Sequence, residues 1–157
     1  MKYIMLSRFF PATHPRKGEP TGFIEKILKG EKIHTIRANS RGHYQDGDEL
    51  SLRYWSGKPY CSKQVEFHRC RIRLEPVKIT FRHPTFDTLM PGFNPEMLAN
   101  NDGLKWYDFY DWFNPSCENG KVFKGDIVHF TGFRYGKYAL AATTAEALDA
   151  MNRGEPK

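Results

Sequence analysis

Two alternating runs on either side of a tight turn constrain this chain more than anything else in it. From Glu49 to Trp55, Leu50, Leu52 and Tyr54 fall on one side of an extended backbone, and Ser51, Arg53 and Trp55 on the other. Ser56-Gly57-Lys58-Pro59 then turns the chain, and Gln64 to Glu75 alternates again through Val65, Phe67, Ile72 and Leu74. A period of two on both sides of a turn reads as a pair of strands with one face buried, not as helix. The parity breaks near Arg69-Cys70, which predicts a bulge there.

Other segments supply partners for this pair. Lys2 to Leu6 reads as a strand, and residues 11–20, with three prolines and a glycine, as a loop. Thr21 is a cap for a helix carrying Phe23, Ile24, Ile27 and Leu28 at helical spacing, ended by Gly30. Ile33 to Arg37 is a β-type run, Asp46-Gly47 a turn, and Val77 to Phe81 extends or follows the second alternating run. A short helix is expected over Pro95 to Ala99. A longer one is expected from a cap at Asn101 or Asp102 to about Phe113, stopped by Pro115. Lys124-Gly125-Asp126 reads as a turn into a last strand through Val128, Phe130, Phe133 and Tyr135, and Thr143-x-x-Glu146 as a capping box opening a helix to Met151. Four to six strands with two or three helices in the connections predict an α+β fold, a small closed or nearly closed β-barrel of mainly antiparallel strands. The expected organisation is one domain over 1–140 with a helical tail over 141–157, and with long loops at 9–20 and 82–100.

Composition narrows the partners. With 157 residues, 39% hydrophobic content and 12 Phe, 8 Tyr and 3 Trp, the chain has apolar surface enough to fold without staples. No run approaches the roughly 18 apolar residues of a membrane helix, and Ser7-Arg8 interrupts the apolar start, so a cytoplasmic protein without a membrane partner is expected. Cys61, Cys70 and Cys117, odd in number and without Cys-x-x-Cys spacing, read as free thiols. The six histidines show no metal-ligand spacing, so neither a metal nor a cofactor is expected. The net charge of +6 is concentrated: residues 1–75 hold 15 Lys/Arg against 8 Asp/Glu, and the remainder 9 against 10. Such a surface suits an anionic partner.

The segment Gly30-Glu31-Lys32-Ile33-His34-Thr35-Ile36-Arg37 carries the chemistry. Thr35 and Arg37 share a strand face, and Lys32, at the helix–strand junction, is free to turn toward them, so an amine, a hydroxyl and a guanidinium converge. The run Gly-x-Lys-x-x-Thr-Ile-Arg, followed by Gly47-Asp48, the strand ending in Trp55, and Asp102-Gly103-Leu104, resembles the ASCH domain family. The likeness spans most of 21–135, and its identical residues are concentrated in 30–55. It implies a PUA-like barrel and recognition of RNA or a modified nucleoside. One branch of the family hydrolyses N4-acetylcytidine with a lysine, a threonine and a glutamate. On this chain the resemblance places them at Lys32, Thr35 and, with a shorter acid, Asp102.

Three functions follow as expectations. In the first, an amidohydrolase, Lys32 takes a proton, Thr35 attacks or orients water, and Asp102 positions the amine or returns a proton. Arg37, Arg53, Trp55, Tyr60 and Lys63 then bind the substrate. The second is a non-catalytic RNA-binding module, with Arg37, Arg53 and Lys63 on phosphates and Tyr54, Trp55, Tyr60 or Trp106 stacking a base. The third is a ribonuclease with His34 as its base.

Overall fold

The computed structural model describes residues 1–38, 40–82, 85–88 and 95–136. Among these, seven strands and three α-helices form: β1 (Lys2–Met5), α1 (Phe23–Leu28), β2 (His34–Arg37), β3 (Glu49–Trp55), β4 (Gln64–Arg71), β5 (Arg73–Arg82), β6 (Thr85–Thr88), α2 (Pro95–Asn101), α3 (Trp106–Cys117) and β7 (Phe123–His129). The tail expected over 141–157 lies outside the described residues. No helix among those described is long and apolar enough to cross a membrane.

β3 and β4 are the antiparallel pair that the alternation predicts, running from Glu49 opposite Arg71 to Trp55 opposite Gln64. The register slips between Leu52 and Arg53, which face His68 and Glu66, so the extra residue is Phe67 and not the Arg69-Cys70 pair. β1 joins the other side of β3 in parallel, Lys2 opposite Leu50. The second sheet, in the order β2-β7-β5-β6, is antiparallel throughout. Pro76 is accommodated in β5 because β6 pairs only from Ile79 onward, so the prolyl nitrogen faces no partner strand.

The fold is therefore α+β, in two sheets, neither of which closes on itself among the described residues. On one side the sheets are continuous through Ile72, between β4 and β5. Its N–H donates to the Asp48 carbonyl at 3.0 Å, its carbonyl accepts from the Gly47 N–H at 2.8 Å, and its side chain is fully buried. On the other side β1 and β2 are both sheet edges, and a side chain spans the seam: Arg37 donates to the Met5 carbonyl at 2.6 Å. A guanidinium thus takes an acceptor that a closing ladder would use.

β7 divides the interior. Ile127 packs with Phe109, Phe113, Val77, Ile79 and Leu98 on the helix side, while its neighbour Val128 packs with Leu50, Leu52, Ile72 and Ile4 between the sheets. Adjacent residues pointing to opposite cores explain why the strand is apolar at both. Three local expectations are corrected. Asp102 does not cap α3 but closes α2, its N–H donating to the Leu98 and Ala99 carbonyls. α3 begins at Trp106 and takes Pro115 into its last turn. Gly125-Asp126 lies inside β7, not at a turn before it.

Gly125 is needed where β7 passes β2, since a Cβ there would lie 2.5 Å from the Arg37 carbonyl oxygen. Gly125→Ala should force the two strands apart and destabilise the protein by about 1–3 kcal/mol in urea unfolding, the usual range for overpacking. An unfolding midpoint equal to that of the parent would contradict this placement of β2.

Candidate active site

The open seam between β1 and β2 is a cavity of about 60 Å³, walled by Leu6 and Ser7 after β1, Lys32 and Thr35 to Arg37 at β2, Phe23 of α1, Asp102, and Trp112 and Phe113 of α3. Lys32, Thr35 and Asp102, separated by up to 70 residues in the chain, share that one wall. At roughly 15 Å³ for each water-sized group, it takes about four such groups.

Lys32 reaches the cavity because its stem is clamped. Gly103 adopts φ +82°, and a Cβ there would lie 3.0–3.2 Å from three carbons of the Lys32 stem, so only glycine fits in both conformation and space. The amine then sits 4.2 Å above the Phe23 ring and donates to the Asp102 carbonyl at 2.5 Å and to Asp102 Oδ1 at 3.0 Å. Asp102 is shorter than glutamate, but its backbone comes so close that main chain and side chain both bind the amine. The Ile33 N–H donates to the Asn101 carbonyl at 2.9 Å, tying the start of β2 to the end of α2.

Burial dominates the electrostatics. Lys32 is 2% exposed, and burial pushes its pKa below the ordinary lysine value. Asp102 pulls it back up, while Arg37 and Lys26 push it further down. Burial pushes the Asp102 carboxyl up, but the opposing effects of Lys32 and His34 together hold it below the usual range, so it is ionised. Burial likewise lowers the pKa of Arg37, against weaker upward effects of Tyr44 and Asp102. The Thr35 hydroxyl, 7% exposed as a residue, has no hydrogen-bond partner among the described residues and is not bonded to Lys32.

His34 is fully buried and does not line the cavity. His34 Nε2 shares a 2.6 Å hydrogen bond with the Tyr135 hydroxyl, which also accepts from Asn101 Nδ2 at 2.9 Å. His34 Nδ1 is buried 3.4 Å from Asp102 Oδ1. His34 thus stands behind the carboxylate, and the general-base role read from the sequence has no access to a substrate. Burial lowers its pKa to about 4, against the pull of Asp102, and His129, whose ring centroid is 5.6 Å away, adds to the lowering.

Of the binding residues read from the sequence, Arg37 lines the inner cavity and also an adjoining cleft of about 460 Å³ that contains Trp55 and Tyr60. Arg53 and Lys63 line neither. Arg53 is held on β3 by Ser51 and Gln64 and lies over Tyr3, and Lys63 is exposed. Trp106 packs on Phe109 in the helix-side core. Arg8, Ser7 and Phe23 were not singled out by the sequence reading. The one signal for Arg8 was a charge interrupting the apolar start, which has no periodicity to mark it. Neither a scan of protein-family models nor searches of curated proteins and solved structures returns a match for this chain.

The lowered His34 pKa sets a stability prediction. The unfolded histidine takes up a proton near pH 6.5, whereas the folded one resists until about pH 4. Stability should therefore fall as pH drops through that window, by about 3 kcal/mol from this residue, and level off below it. His129, also lowered by burial, acts in the same direction. Urea unfolding from pH 7 to pH 4 should show a shallower acid limb in His34→Gln than in the parent, and equal slopes would contradict the buried neutral imidazole.

Proposed function

We propose that this chain is an ASCH-type, PUA-like domain, its barrel left open at the β1–β2 seam, and that it hydrolyses an N-acyl group on a modified pyrimidine nucleoside such as N4-acetylcytidine. The observation that carries this reading is the buried Lys32 amine at a cavity wall that also holds an unbonded hydroxyl. An unprotonated amine has two N–H bonds and one lone pair. Asp102 accepts both N–H bonds through its carbonyl and Oδ1, which leaves the lone pair for a proton from the cavity.

The steps follow from that geometry. Because Thr35 is not bonded to Lys32, its hydroxyl is read as holding the attacking water and not as the nucleophile. Water adds to the acyl carbonyl carbon and gives a proton to Lys32. The carbon–nitrogen bond then breaks, and the Lys32 ammonium returns that proton to the leaving exocyclic nitrogen, yielding acetate and the free base. Asp102 steadies the ammonium through the step. The inner cavity accommodates an acetyl group and a water, and the wider cleft accommodates the rest of the nucleoside.

Acetate release from N4-acetylcytidine tests the reading. Lys32→Met should reduce turnover to the uncatalysed rate, and Thr35→Val should lower kcat by about 10²–10⁴-fold. In the parent, kcat/KM should rise with pH as Lys32 loses its proton, with a midpoint below the ordinary lysine value of 10.5. Turnover unchanged in Lys32→Met would overturn the assignment, and binding without any acetate release in the parent would leave a recognition module in its place.

A further inference from the structure

The outer cleft holds two guanidinium groups with no anion to answer them. Arg37 makes one hydrogen bond, to the Met5 carbonyl, and its Nε is buried with no partner. Arg8 donates to the Trp55 and Ser56 carbonyls at 3.3 and 3.2 Å and lies 5.3 Å from the centroids of the Phe9 and Tyr54 rings. Neither has a carboxylate within 4 Å among the described residues. By contrast Arg16, Arg41 and Arg69 each pair with one, at 2.6, 2.9 and 2.7 Å. Carbonyls and ring faces fix the direction of a guanidinium without cancelling its charge, so these two cations are positioned and left electrostatically open.

The same cleft offers aromatic ring faces. Tyr60 has a left-handed backbone, φ 65°, and is 88% exposed, yet its ring centroid lies 5.3 Å from that of Trp55. A non-glycine residue held in that conformation, with a large ring left in solvent, gains nothing from burial, and such strain is concentrated at ligand clamps. The volume of about 460 Å³ falls within the roughly 300–1,000 Å³ of sites that enclose one small molecule.

We propose that this cleft is a phosphate subsite, and that the substrate of the neighbouring cavity is a nucleoside monophosphate and not a neutral nucleoside. Arg8 and Arg37 hold the phosphate dianion, whose two charges match theirs, and the Trp55–Tyr60 pair takes a planar ring. The inference rests on the reading of the inner cavity as a nucleoside site. It does not require that acetate be released.

Isothermal titration with the reaction products avoids turnover. Cytidine 5′-monophosphate should bind the parent protein at least tenfold more tightly than cytidine. That gap should close in Arg8→Met, which keeps an apolar stem over Phe9 and Tyr54, while the affinity for cytidine stays unchanged. Arg37→Lys, which keeps the charge but removes Nε, should narrow the gap in part. Ribose 5-phosphate bound in an Arg8-dependent way, with no binding of cytidine, would uphold the phosphate subsite and end the pyrimidine reading. Equal affinity for the nucleotide and the nucleoside, a gap that survives Arg8→Met, or no binding of any phosphate compound would overturn the proposal. So would tighter binding of an RNA oligomer without terminal phosphates, with a log–log salt slope of several units, because that is the mark of a strand-tracking surface.

Discussion

The Lys32–Asp102 contact is the constraint around which the rest of the site is arranged. An amine and a carboxylate 3.0 Å apart, 2% and 5% exposed as residues, are tolerable in an interior only as partners. Removing Lys32 leaves the ionised Asp102 as an uncompensated buried charge, a loss of about 3–5 kcal/mol in comparable pairs. That stake explains the scaffolding around the pair. Gly103 lies flat against the lysine stem, the Ile33 N–H is tied to the Asn101 carbonyl, and His34, hydrogen-bonded to Tyr135, backs the carboxylate.

The fold creates the site by leaving one seam unzipped. Ile72 carries the chain from the first sheet to the second and joins them on one side. On the other side, the edges of β1 and β2 flank a cavity instead of exchanging main-chain hydrogen bonds. Unpaired edges are normally a hazard, and here Arg37 and the walls contributed by α1 and α3 cover them. The same guanidinium faces both the inner cavity and the outer cleft, so one residue links the edge of the sheet to the positive potential of the site.

What could be read from the sequence was what depends on neighbours in the chain. The β3–β4 pair followed from a period of two, and Lys32 and Thr35, which line one cavity, stood out in the sequence because they lie three residues apart in one motif. The parallel pairing of β1 with β3 left no such trace, because β1 is four residues long and its partner lies some 48 residues away. The capping role expected of Asp102 was wrong for a related reason. An aspartate before an aromatic run satisfies a helix start equally well, and only the buried lysine from a distant segment decides that it closes α2 instead. Arg53 was expected in the site because it belongs to the same alternating run as Trp55. The Phe67 irregularity and the contacts with Ser51, Gln64 and Tyr3 hold it elsewhere, and strand parity alone carries no information about them.

The ionisation of Lys32 itself is the most direct measure of this account. Selective ¹³Cε labelling followed by NMR titration of the whole protein would read it residue by residue, with Asp102→Asn as the comparison. The account requires Lys32 to titrate below the ordinary lysine value, and lower still in Asp102→Asn, since the carboxylate is what favours the ammonium in an otherwise desolvating site. A Lys32 that titrates at or above the ordinary value, or one whose pKa rises when Asp102 loses its charge, would contradict it.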